Sequence, residues 1–184
     1  YTLLQLMSQK GEQCVTDFWL MASSDGSFRA GDLNTTCAIG RGGVIPAPEK
    51  REGDGASPIG KWRLKRVFYR ADRIDRPETT LPTIPLKESD GWCDAADHPL
   101  YNRAVSLPFS ASHEKLWRED HAYDVIVELA HNDDPVIAGL GSAIFFHLAH
   151  DDGRPTEGCV AVSLEDMLRA LKSASSETFL EVRA

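Results

Sequence analysis

Two side chains near the C-terminus, His147 and Cys159, are of types that together perform acyl transfer, and they lie twelve positions apart. An apolar run at residues 143–146 delivers His147. A polar loop containing Gly153 and Pro155 follows, and Gly158-Cys159 opens a second apolar run at residues 160–162. The pattern reads as strand, loop, strand, with the imidazole ending one strand and the thiol starting the other. An imidazole beside a thiol can take its proton or stabilise the thiolate, which makes an activated nucleophile. Gly158 lets backbone approach closely, so N–H groups near Cys159 could face a developing oxyanion. Each residue alone has a plainer reading. A cysteine in an apolar strand is a small buried hydrophobe, and a histidine near a sheet edge is structural. The pairing, with Thr156 and Glu157 just ahead of Gly158, is what carries the chemical reading.

Those two strands belong to a chain of many short ones. Residues 13–20, 27–30, 34–39 and 61–69 read as strands, with Asp25-Gly26 as a hairpin turn between the first two. Glycines and prolines between Gly42 and Pro58 mark a long ordered loop. Residues 77–99 read as an excursion carrying Trp92 and Cys93, and residues 112–117 as a short helix. Residues 123–130 alternate, with Val125, Val127 and Leu129 opposite Asp124, Ile126 and Glu128. A longer helix starts at Ser163, where Ser163 and Asp166 resemble a capping box. Its Leu164, Met167, Leu168 and Leu171 form a core-facing stripe. Residues 177–182 close as a strand. Many short strands without repeated βαβ alternation predict a mainly β sandwich with small helices.

The 184 residues suit one domain spanning 1–184. A net charge of −8 argues against an electrostatic nucleic-acid footprint. The basic stretch Arg63, Lys65, Arg66 and Arg70 reads as a solvated face. No run of 18 apolar residues is present, so no membrane span is expected. The chain opens on Tyr1 rather than Met, as expected of a processed or trimmed chain, which leaves room for a removed export signal. Four cysteines, Cys14, Cys37, Cys93 and Cys159, leave room for one disulfide if Cys159 stays a working thiol, or for none.

Other groupings are weaker. His147, His150, Asp151 and Asp152 have a metal-like composition, but His-x-x-His suits a helix and this segment reads as strand into turn, so no metal is expected. Trp92, Tyr101, Asn102 and Arg103 offer aromatic, amide and guanidinium groups within a dozen positions, and Arg103 could grip a carboxylate with a bidentate fork. The plainer reading makes Trp92 core and Arg103 a surface ion pair. Ser57-Pro58-Ile59-Gly60 reads as a structural loop flanking the site.

His147 followed by Pro155-Thr156-Glu157-Gly158-Cys159-Val160 resembles the signature of the YkuD-like L,D-transpeptidase domain. That signature has an upstream His, then Ser or Thr, His, Gly, Cys and an apolar residue before Arg. Thr156, Gly158, Cys159 and Val160 match. Glu157 stands where the second His is usual, and Ala161 where Arg is usual. The segment Glu52 to Trp62, with Pro58-Ile59-Gly60, is similar to the family's Gly-x-x-x-Pro-x-Gly stretch. Asp90-Gly91-Trp92-Cys93-Asp94 and Tyr101-Asn102-Arg103 resemble a subgroup with the Thr-Glu-Gly-Cys variant. The likeness spans residues 35–171. It implies an L,D-transpeptidase-like β-sandwich and a cofactor-free cysteine acyltransferase acting on peptidoglycan stem peptides in the periplasm or cell envelope. Cys159 would be the nucleophile and His147 the base, with amides at Gly158 and Cys159 as oxyanion donors. Trp92, Tyr101, Asn102, Arg103, Thr156 and Glu157 would contact substrate, and carbapenems would inhibit. The departures at Glu157 and Ala161 keep an L,D-carboxypeptidase or stem-peptide amidase, with water as acceptor, open as an alternative. A cell-wall binding module without turnover is a third.

Overall fold

A computed structural model describes residues 19–184. In chain order the elements are β1 (Trp19–Ser23), β2 (Ser27–Ala30), β3 (Leu33–Thr36), β4 (Val44–Pro46), a 3₁₀ turn (Ala47–Glu49), β5 (Ser57–Tyr69), β6 (Thr83–Pro85), β7 (Asp90–Cys93), β8 (Ala104–Ser106), β9 (His113–Lys115), β10 (Val125–Leu129), β11 (Phe145–Leu148), β12 (Val160–Val162), α1 (Leu164–Lys172) and β13 (Phe179–Arg183). The hairpin between β1 and β2 turns on Gly26 at φ +81°, and Asp25 Oδ1 accepts the Ser27 N–H at 2.9 Å. Both features are what an Asp-Gly turn requires.

The main sheet runs β12-β11-β10-β5-β13-β1-β2-β3, with β4 and β6 also paired to β5. Beyond β3, Ala38 bridges to Ala161 of β12. The two ends of the sheet therefore meet, and the sheet closes around a core of Leu20, Phe28, Leu64, Val125, Val127, Phe146, Val160, Val162 and Leu180. Phe28 stacks on Phe146 across this core with ring centroids 5.5 Å apart. Each such side chain, fully buried, stabilises by roughly 1.5–3 kcal/mol. Helix α1 is capped by Ser163, whose hydroxyl accepts the Asp166 N–H, and it buries Met167, Ala170 and Leu171. A second sheet, β8-β7-β9, sits over a second core. There Trp92 of β7 meets Phe145 of β11 edge to face at 5.1 Å. Strand β10 is buried on both faces. Val125, Val127 and Leu129 enter the first core and Ile126 the second.

The mainly β prediction holds, with one α-helix among the described residues. Five local expectations need correction. Ser57-Pro58-Ile59-Gly60 is not a loop but the start of β5, because its residues find partners in β4 and β13. Residues 112–117 form no helix. His113–Lys115 is a strand, because Trp92 and Cys93 offer it a partner edge that three residues of weak helical preference cannot refuse. The strand expected at 34–39 ends at Thr36, after which Ala38 and Gly40 make single bridges to Ala161 and Thr156. Leu164 and Leu168 stay more than a third exposed, and Ala170 takes their place in the core. Arg70 is not on a solvated face. It is buried, paired with Asp72 at 2.7 Å and stacked over Trp117. The strand expected at 13–20 lies mostly outside the described residues, as does Cys14. Among the described residues Cys37, Cys93 and Cys159 form no disulfide with one another. Among the described residues no helix is long and apolar enough to cross a membrane.

Candidate active site

Strands β11 and β12 run parallel, with His147 opposite Ala161 and Phe146 opposite Val160. Parallel neighbours need a crossover connection, and residues 149–159 provide it. The crossover is pinned by Thr156, whose N–H donates to Ile39 O at 2.9 Å and whose carbonyl accepts the Arg41 N–H at 2.8 Å. At its end the chain turns into β12 through Gly158 at φ +128°. A Cβ there would lie 2.8 Å from Ala56 O and 3.2 Å from Ile144 Cδ1. Only glycine fits, on conformational and steric grounds alike. The flanking segment at residues 53–60 thus supplies the floor under this turn. Ser57 Oγ and Thr156 Oγ1 both donate to the Cys159 carbonyl, at 3.3 and 2.7 Å. The backbone of Cys159 is held from two sides.

The thiol itself is enclosed. Cys159 Sγ donates to Ala143 O at 3.2 Å and accepts the Phe145 N–H at 3.3 Å. Burial pushes its pKa up to about 12, the nearby Glu114 charge adds to the rise, and the Phe145 N–H offsets part of it. His147 is buried as well, and burial lowers its pKa to about 4. Its Nδ1 lies 2.8 Å from Leu148 O. That contact requires Nδ1 to carry the proton, which leaves Nε2 unprotonated as an acceptor. The ring packs edge to face against Tyr123 at 5.1 Å. At neutral pH both members of the pair are uncharged, so the site stores a thiol and a neutral imidazole rather than an ion pair. His147 and Cys159 reach the same side of the sheet, and both line one cavity of about 630 Å³.

Of the expected contact residues, Thr156 and Glu157 line that cavity. Glu157 pairs with Arg41 at 2.8 Å, and both side chains are exposed. The Gly158 N–H donates to Thr156 Oγ1 at 3.2 Å, so this amide has a partner already. Trp92 is buried behind the site, where its Nε1 donates to Asn102 Oδ1 at 2.9 Å. Tyr101 is buried too, and its hydroxyl donates to Glu52. Arg103 is engaged with Asp133, 3.0 Å to the carboxylate and 2.6 Å to the carbonyl. Trp92, Tyr101, Asn102 and Arg103 are not among the residues that line this cavity.

Several lining residues escaped the sequence reading. Glu114 lines the same cavity as His147 and Cys159 and accepts the Tyr123 hydroxyl at 2.5 Å. Burial raises its pKa. Arg118, Lys50, Glu52 and Asp94 complete a wall of mixed charge. Lys50 is almost fully buried and paired with Asp54. Glu52 and Asp94 stood in segments that resemble the family but were given no role, and no motif marked Lys50, Glu114 or Arg118. Asp94, Glu114 and Arg118 come from β9 and the loops after β7 and β9, and Lys50 and Glu52 from the segment between the 3₁₀ turn and β5, so the wall is assembled from both sheets. His150 also lines the cavity, but its ring lies beside the Arg154 guanidinium, 3.1 Å from Nδ1.

A family model for the L,D-transpeptidase catalytic domain, YkuD, matches residues 21–182. No curated protein matches the chain. Among solved structures it is similar to Mycobacterium tuberculosis L,D-transpeptidase 1, with 12% identity and a TM-score of 0.42. That likeness covers 91% of this chain and 62% of the mycobacterial one. The family match takes in both sheets, the cavity between them and the His147–Cys159 pair, and the chain accordingly belongs to the YkuD family of L,D-transpeptidase catalytic domains.

Proposed function

We propose that this chain is a cysteine acyltransferase that cross-links peptidoglycan stem peptides in the cell envelope through a thioester acyl-enzyme. The observation that carries the reading is the opening of the Cys159 thiol and the His147 ring, from adjacent strands, onto one cavity. The mixed charge of that cavity supports a zwitterionic ligand, since Glu52, Asp94, Glu114 and Glu157 share it with Lys50, Arg118 and Arg154. A stem peptide bearing a diamino acid has both signs of charge. Because the thiol and imidazole rest neutral, proton transfer accompanies attack and does not precede it.

Cys159 Sγ bonds to the carbonyl carbon at the L-centre of the donor's diamino acid, and its proton passes to His147 Nε2. The tetrahedral intermediate collapses, its bond to the terminal D-alanine nitrogen breaks, and that nitrogen leaves with the proton from His147. A thioester remains. The side-chain amine of a second stem then attacks the thioester carbon and gives a proton to His147. The carbon–sulfur bond breaks, and the sulfur recovers the proton. No cofactor enters this sequence. The fixed Nδ1–Leu148 O contact keeps Nε2 available in both halves.

Incubation with tetrapeptide muropeptides followed by product analysis tests the acceptor. Cross-linked dimers and free D-alanine are expected. Tripeptides and D-alanine without dimers would assign water as the acceptor and overturn the transferase reading. Unchanged muropeptides with no covalent adduct would overturn turnover altogether and leave a binding module.

A further inference from the structure

Among the described residues, three other than glycine adopt positive φ: Asn102 at 54°, Asn132 at 47° and Ala143 at 50°. Asparagine tolerates this region, whereas alanine occupies it at a cost. Backbone strain of this kind persists only where the surroundings over-determine it. All three residues join one network. Asn102 Oδ1 accepts the Trp92 Nε1–H at 2.9 Å and the Ala143 N–H at 3.1 Å. Asn102 Nδ2 donates to His131 O at 3.1 Å and Asn132 O at 2.8 Å. Every hydrogen-bonding position of this buried amide is filled, and its orientation follows, because a flipped amide would set NH₂ against two N–H donors. Asn132 in turn holds Ile137 and Gly141 through its own side chain.

The end of this chain of contacts is the nucleophile. Ala143, held by Asn102 at its N–H, presents its carbonyl to the Cys159 thiol at 3.2 Å. A hydrogen bond donated by the neutral thiol favours the protonated form. We propose that Asn102, backed by Trp92, is a positioning residue that fixes Ala143 O as a parking acceptor for the Cys159 proton, so that the nucleophile is held inert until substrate fills the cavity. The thiol then turns from Ala143 O toward His147. Asn102 is thus assigned to the wall behind the sulfur rather than to substrate. The inference rests on Cys159 being the nucleophile, but its test reads the thiol directly and needs no turnover.

A Raman difference spectrum, wild type minus Cys159→Ala, isolates the Cys159 S–H stretch. A band shifted to the hydrogen-bonded position is expected. Asn102→Ala should move it toward the free-thiol position and speed iodoacetamide labelling of Cys159 at pH 8 by about fivefold, the worth of one hydrogen bond. Trp92→Phe keeps a ring against Phe145 and removes one donor to Asn102, so it should shift both readouts the same way by about twofold. It decides the matter should Asn102→Ala fail to fold. A loss of packing alone would lower the melting temperature without moving the S–H band. A free-thiol band in the wild type, or unchanged labelling in folded Asn102→Ala and Trp92→Phe, would overturn the proposal. Wild type that is never acylated while these variants do shift the band would instead sink the acyltransferase reading and leave the positioning role intact.

Discussion

Replacing Gly158 with alanine tests how the nucleophile turn is built. The added Cβ meets Ala56 O at 2.8 Å, a distance real Cβ atoms essentially never show, and Ile144 Cδ1 at 3.2 Å. The first neighbour is backbone and cannot swing aside. The φ of +128° adds strain of about 1–3 kcal/mol for a residue with a side chain. Strain and displaced packing together give a loss of about 2–4 kcal/mol. For a chain of this length that lowers Tm by roughly 5–15 °C. Relief comes by moving the turn away from Ala56, which carries the sulfur with it, and a displacement near 1 Å costs about 10²-fold in reaction rate. Calorimetry and the rate of carbapenem acylation, followed by intact mass, report the two effects. A Gly158→Ala variant that melts within a degree of wild type and acylates at the same rate would refute the close approach of the turn to residue 56.

Three further outcomes are expected. The rate of acylation, as kcat/KM, should be flat from pH 5.5 to 8 and fall only as pH drops toward the His147 value of about 4, because burial keeps the base neutral to lower pH; an acid limb at 6.5 would contradict this, and so would a tenfold rise per pH unit, the signature of pre-formed thiolate. Stability should be fully present above pH 6.5 and be lost between 6.5 and about 4, by up to about 3 kcal/mol for each of His147 and His131, since burial lowers both folded-state values and the unfolded chain takes up protons first; denaturant melts unchanged across that window would disprove it. His147→Ala should slow acylation by roughly 10²–10⁴-fold and His150→Ala far less, a reversed order meaning that His150 is the working imidazole.

The placing of the His147–Cys159 pair was legible where short-range pattern carries it. His147 ends one apolar run and Cys159 opens the next, and the pairing of those runs in β11 and β12 brings them to one side of the sheet. The alternation in β10 was legible for the same reason, since Val125, Val127 and Leu129 enter one core and Ile126 the other. What stayed hidden depends on segments far apart in sequence. Asn102 binds the backbone of residues 131, 132 and 143. No local signal distinguishes that from an asparagine touching a ligand. Arg103 had the right group for a carboxylate and spends it on Asp133. Strand β9 was misread because its three residues take their form from β7, and with it went Glu114, which reaches the cavity only once the second sheet is laid down.

The account stands on Cys159 forming the acyl-enzyme. Intact mass of wild type and of Cys159→Ala, each after exposure to a carbapenem, measures this most directly. The wild type should gain the mass of one inhibitor, mapped to the peptide containing Cys159, and the variant should gain nothing. An adduct that persists in Cys159→Ala, or maps to Cys37 or Cys93, would contradict the assignment.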